Sequence, residues 1–131
     1  MKYYCKVVEL GQQNYLYLWS KNIVELIIPN GCKRVDCRNN QLKELIIPDG
    51  CEVVSCDGNQ LKELVIPAGC KEVSCRNNQL TALNIPDRFK YVGCYNNLLK
   101  ELIMPDRCEW VWADMKSVAL LNKVDNLYLY I

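Results

Sequence analysis

Eight of the nine cysteines of this chain stand in two columns whose members recur every nineteen residues. Cys32, Cys51, Cys70 and Cys108 form one column; Cys37, Cys56, Cys75 and Cys94 form the other. Sulfur in such a pattern suits cross-linking, metal ligation, nucleophilic attack, or no chemistry beyond filling space. Phe89 takes the remaining place in the first column and Ala113 in the second. Neither residue ligates a metal or forms a disulfide, and both fill volume. Within a unit the two thiols bracket an extended segment and lie roughly 16 Å apart at about 3.3 Å per residue. A disulfide spans Cα atoms within about 7 Å. Between stacked units the side chains run parallel, whereas a bridge needs a twisted dihedral. Zinc sites gather thiolates, commonly at C-x2–4-C spacing; here a C-x4-C pair straddles a strand. A nucleophilic cysteine wants a base, and the chain has no histidine. The columns are therefore expected to be core filler. Cys5 lies outside them and is the one thiol expected to be exposed.

The elements that must position these residues are units of a repeat. Five nineteen-residue units align without a gap from Ile23, Leu42, Leu61, Leu80 and Leu99, covering residues 23–117. Residues 1–22 fit the register in part and read as an N-terminal cap with a first strand. Residues 118–131 read as a shortened terminal repeat, so the chain is one domain. Each unit is apolar at positions 1, 4, 6, 10, 13 and 15, a spacing that is neither helical nor a plain alternation. Position 7 is always proline (Pro29, Pro48, Pro67, Pro86, Pro105), which forbids a helix there. A short strand falls on "RVDC", "EVVSC", "KEVSC", "YVGC" and "WVWA". Asn39, Gly58, Asn77 and Asn96 follow it, residue types that tolerate positive φ at a corner. Each unit thus closes into one coil, and coils stack through parallel strands about 4.8 Å apart. The expected fold is a repeat solenoid with a parallel β-sheet of about six or seven short strands, an extended outer arc, and few or no helices.

Read across the unit boundary, "VSCRNNQLTALNIP" (Val73 to Pro86) resembles the leucine-rich repeat L-x-x-L-x-L-x-x-N-x-L. The nineteen-residue length and the proline resemble the short bacterial class known from host-directed effectors and stand-alone repeat proteins. That resemblance implies an extended outer arc and covers nearly the whole chain. It leaves function open, because such repeats serve many partners.

Two polar ladders have structural readings. Asn40, Asn59, Asn78 and Asn97 share position 18, where an amide can satisfy backbone groups of its own and the neighbouring coil; Lys116 breaks the series. Glu25, Glu44, Glu63 and Glu101 stack on the outer arc beside Lys43, Lys62 and Lys100, a solvated face rather than a calcium site.

Several function classes drop out. With 16 basic and 15 acidic residues the formal charge is +1, so no electrostatic excess recruits nucleic acid or anionic lipid. No apolar run approaches the length of a membrane span. Nine cysteines without a recognisable secretory signal point to a reducing, cytoplasmic compartment; delivery into a host cell by a non-classical route stays compatible with this. No paired carboxylates, phosphate loop or Cys–His set suggests an enzyme, and no cofactor or metal is expected.

If positions 13 and 15 point inward, then 12, 14 and 16 point outward from the same strand. Nine of the eleven tyrosines and tryptophans fall at such outward places. The expected partner-binding face comprises Tyr15, Tyr17 and Trp19 in the entry segment and Tyr91, Tyr95, Trp110 and Trp112 near the exit. Arg34, Asp36, Arg38, Asp57, Glu72 and Arg76 form a charged middle between them. Aromatics with a polar edge are enriched in interface hot spots, so the expected function is a non-catalytic scaffold binding a protein or peptide. The alternatives are glycan binding on the same aromatics, aromatic stacking that only stiffens the sheet, and a structural solenoid assembling through its ends. Tyr128 and Tyr130 continue the outward set, and the C-terminal edge strand is a candidate homodimer contact.

Overall fold

The computed structural model describes residues 5–7, 9–105, 108–114 and 126–130. The chain winds as a parallel β-solenoid, one coil per nineteen-residue unit. β2 (Tyr15–Tyr17), β4 (Arg34–Asp36), β5 (Val53–Ser55), β6 (Glu72–Ser74), β8 (Tyr91–Gly93), β10 (Trp110–Asp114) and β11 (Asn126–Tyr130) form one seven-stranded sheet. All its pairings are parallel, and β2 and β11 are its edges. From β2 to β10 the register advances by nineteen residues per strand, as in Val35↔Val54↔Val73↔Val92↔Val111. β11 pairs Asn126 with Trp110, a step of sixteen, which makes the last coil three residues shorter. One short 3-10 turn, Gln12–Asn14, is the only helical element among the described residues.

Two corners make the coil. The first is a β-turn at the proline, closed by Cys32 N donating to Pro29 O at 3.4 Å and by Cys51 N and Cys70 N donating to Pro48 O and Pro67 O. Gly31 and Gly50 hold φ of 89° and 86° at the third place of that turn, as a type II turn requires. In the fourth unit Arg88 holds φ 62° at the equivalent place. The second corner follows the strand, where Asn39, Gly58, Asn77 and Asn96 hold φ between 55° and 66°, as their residue types predict.

The outer arc carries two small parallel pairs rather than a second continuous sheet. β1 (Cys5–Val7) pairs with β3 (Glu25–Ile27), and β7 (Ala82–Asn84) pairs with β9 (Glu101–Ile103). The N-terminal strand is thus the outer arc of an entry coil, and Cys5 aligns with Glu25. That step is twenty residues while β2 to β4 is nineteen, so the entry coil holds one extra residue between β1 and β2, the span containing the 3-10 turn. Between these pairs, the arcs at 43–47 and 62–66 make no backbone–backbone hydrogen bond among the described residues. Their coils are tied on that side only at the corner, through Gln41 N to Ile23 O, Gln60 N to Leu42 O and Gln79 N to Leu61 O at 2.8–2.9 Å.

The core is the space inside the coils. Positions 1, 4 and 6 of the arc meet positions 10, 13 and 15 of the strand side in one continuous buried cluster, from Leu16 to Ala113. Each buried apolar side chain contributes about 1.5–3 kcal/mol relative to exposure, and stacking neighbours supply the burial that a single coil cannot. Lys116 and the rest of 115–125 lie outside the described residues.

Candidate functional site: the strand face

The inward–outward parity expected from the sequence holds. Cys37, Cys56, Cys75 and Cys94 are buried with Ala113, and Cys32, Cys51, Cys70 and Cys108 are buried with Phe89. No disulfide joins these thiols among the described residues. The first column is more than filler, because its thiols donate to strand carbonyls: Cys32 Sγ to Arg34 O at 3.2 Å, Cys51 Sγ to Val53 O at 3.7 Å, and Cys108 Sγ to Trp110 O at 3.5 Å. A weak donor there supports the corner that launches each strand. Burial pushes the thiols of Cys37, Cys51 and Cys94 up to about 12 and Cys70 up to about 11, with Cys56 and Cys75 also well above their usual range. At pH 8 a group at about 12 is a thiolate in roughly one molecule in ten thousand. Native protein treated with iodoacetamide at pH 8 is therefore expected to keep all eight column thiols unmodified, while the denatured chain is labelled at all nine cysteines. Rapid alkylation of Cys56 or Cys75 in the folded state, read by peptide mass spectrometry, would contradict this burial.

The asparagine ladder is a backbone device. Asn59 Oδ1 accepts from Leu42 N at 3.0 Å, and its Nδ2 donates to Cys37 O at 3.1 Å and Cys56 O at 3.0 Å. Asn40, Asn78 and Asn97 repeat the arrangement on their own coils. These bonds bridge the coil through the corner where neither sheet reaches.

Outside the core, the seven-stranded sheet presents a grid. Its first row, across β2, β4, β5, β6, β8 and β10, reads Tyr15, Arg34, Val53, Glu72, Tyr91, Trp110. Its second reads Tyr17, Asp36, Ser55, Ser74, Gly93, Trp112. The third, at Asp114 within β10 and just past the ends of the other strands, reads Trp19, Arg38, Asp57, Arg76, Tyr95, Asp114, and its backbone keeps bonding across coils, as in Asn39 N to Asp57 O and Gly58 N to Arg76 O.

The aromatic ends lie where the sequence suggested. At one end Tyr15 and Tyr17 meet edge to face with centroids 6.2 Å apart, and Trp19 is half exposed. At the other, Tyr95 and Trp112 have centroids 5.8 Å apart, with Trp110 and Trp112 exposed. Such pairs contribute about 0.5–1.5 kcal/mol beyond burial, so stiffening of the sheet is part of their effect.

The charged middle differs from expectation in one respect. Asp57 is buried and does not face a partner. It accepts from Ser74 Oγ and Arg76 N at 2.7 Å, and its other oxygen takes Arg76 Nη2 at 2.7 Å and Nε at 3.1 Å. The short Ser74 hydroxyl leaves the carboxylate room to lie down on the sheet. Asp57 is therefore a brace: its hydrogen bonds raise the Arg76 pKa and hold the guanidinium 5.3 Å from the Tyr95 ring centroid. Asp36 and Arg38 form a second bidentate pair, with both bonds at 2.8 Å. Arg34 and Glu72 remain outside any ion pair among the described residues, and Arg34 rests 5.3 Å from the Tyr15 ring centroid.

Between the ends the face is grooved. The small residues Ser55 and Ser74 form a floor, and Gly93 permits its end wall: a Cβ there would stand 2.7 Å from Tyr91 Oη, so the Tyr91 ring lies over Gly93. Tyr17 closes the other end. The resulting groove, about 350 Å³, runs along the solenoid axis across the strands, with Arg34 and Glu72 on one rim.

A second surface escaped the sequence reading. Ile27, Ile46, Val65 and Ile103, all at position 5 of the arc, point into solvent; Ile46 and Val65 are about 80% exposed. The signal was present, because position 5 lies between the inward positions 4 and 6. The glutamates and lysines beside this row form no ion pairs within 4 Å among the described residues.

Among the described residues no helix is long and apolar enough to cross a membrane. No protein-family model matches the chain, and no curated protein is similar to it.

Proposed function

We propose that this protein is a non-catalytic, leucine-rich-repeat-like scaffold that holds a segment of another protein across its strand face. The observation that carries the reading is the groove between two aromatic clusters, on a sheet whose own polar groups are already braced. Braced arginines and rigid rings lose little side-chain freedom on binding, which raises the affinity available from a given contact area. Exposed tryptophan and tyrosine at both ends are the residue types that anchor such contacts. Buried thiols without disulfides in the columns support residence in a reducing compartment.

The test is a pull-down from the native source, comparing the wild-type protein with the Trp110→Ala/Trp112→Ala double variant, followed by titration of the captured partner. Truncating one hot-spot aromatic costs about 2 kcal/mol or more, so the pair is expected to weaken binding at least a hundredfold with circular dichroism unchanged. Undiminished affinity in the double variant removes this face from the reading. Retention on a glycan array, lost with Trp112→Ala, replaces the protein segment by a carbohydrate.

A further inference from the structure

The two charges left over among the residues that line the groove define what it selects. Asp36 is neutralised by Arg38 and Asp57 by Arg76, each through two oxygen–nitrogen contacts. Arg34 and Glu72 face the same groove from the same row, with only Val53 between them in the register. Two strand spacings separate them, roughly 10 Å. Both are half-buried, so each is partly desolvated before any partner arrives. Arg34 is steadied against Tyr15 and is not a freely swinging cation.

We infer that the groove takes an extended peptide segment lying along the solenoid axis and carrying one acidic and one basic side chain, the acid on Arg34 and the base on Glu72. From Tyr17 to Tyr91 the groove crosses four strand spacings, roughly 19 Å, the length of five or six extended residues. At about 3.3 Å per residue the two ligand charges fall two to four positions apart. A segment with two acids meets Glu72, and one with two bases meets Arg34. Like-charge contacts in a partly desolvated site cost more than on open surface, so mismatch is penalised as well as match rewarded. The braced Asp36–Arg38 and Asp57–Arg76 pairs offer no net charge and leave this discrimination to the open pair. The inference rests on the strand-face reading above and specifies its ligand.

The experiment uses an array of immobilised octapeptides in four classes: one acid and one base, two acids, two bases, and uncharged, with charges two to four positions apart. Wild-type protein is expected to be retained by the mixed class at least tenfold over the others. Arg34→Glu, which makes both open charges negative, is expected to move preference to the two-base class. Glu72→Arg is expected to move it to the two-acid class. Neither side chain makes an ion pair among the described residues, so the variants are expected to keep the wild-type circular dichroism. If all three proteins prefer one class and Trp112→Ala abolishes retention, the face binds peptide but the charge pair does not select it, and the inference falls alone. If Trp112→Ala is retained like wild type, or no peptide class is retained, the strand-face reading falls with it.

Discussion

Raising the pH from 8 to 10.5 in the presence of reductant is expected to unfold this protein cooperatively. The cause is the thiol columns. An ordinary cysteine loses its proton near 9, while burial holds Cys37, Cys51 and Cys94 at about 12, Cys70 at about 11, and Cys56 and Cys75 well above their usual range. Between those limits the unfolded chain releases protons that the native state retains, so stability is complete below about pH 9 and falls as pH rises. At pH 10 each such thiol removes on the order of 1 kcal/mol. The six act in the same direction and together remove several kcal/mol, a large share of the stability of a small domain, about 5–15 kcal/mol. Denaturant titrations at a series of pH values measure the effect directly. Their slope against pH is expected to approach six or more protons near pH 10.5, and about two fewer in the Cys56→Ala/Cys75→Ala variant, which copies the residue already present as Ala113. A stability that stays flat from pH 8 to 10.5 would show that the folded thiols ionise as freely as unfolded ones.

The second large effect is expected at Asn59. Its amide joins two coils, and removing it does not strip all partners equally. Cys37 O keeps its bond from Asn40 and Cys56 O keeps its bond from Asn78. Leu42 N–H donates to Asn59 Oδ1 and loses that buried acceptor. An orphaned buried donor costs about 1–3 kcal/mol, and the lost amide bonds and the space add to it. Asn59→Ala is expected to lose about 3 kcal/mol in urea unfolding, against about 1–2 for Asn97→Ala, whose half-buried position lets water substitute. Asn59→Asp separates bonding from volume. A carboxylate still accepts from Leu42 N–H but turns a bare oxygen on the Cys37 and Cys56 carbonyls. Its deficit is expected to shrink as pH falls and the carboxyl gains a proton to donate. An Asn59→Ala variant within 1 kcal/mol of wild type would reduce the ladder to decoration.

The coil, its handed columns and its corners were legible because each position was sampled about five times. Phe89 and Ala113 marked the thiol columns as apolar, and Asn39 beside Gly58 marked a positive-φ corner. What was not legible depends on neighbours rather than on period. Asp57 has outward parity yet is buried, because the adjacent serine is short enough for it to lie flat. The groove exists because Tyr91 can cover Gly93, a relation between two residues of one unit that no other unit repeats. Exposed Ile46 and Val65 were hidden by the habit of assigning aliphatic residues to the interior.

The uneven bonding of the two sides has a mechanical consequence. Along the strand side every coil from β2 to β10 is stitched to the next by a ladder, while the arcs at 43–47 and 62–66 are fastened only at the corner, by one backbone bond and the asparagine amide at each junction. The neutral plane for bending therefore lies close to the sheet, and the outer side opens or closes like the pages of a book held at its spine. In the proposed binding role, a partner of somewhat different curvature would be met by fanning those pages without disturbing the grid on the strand side.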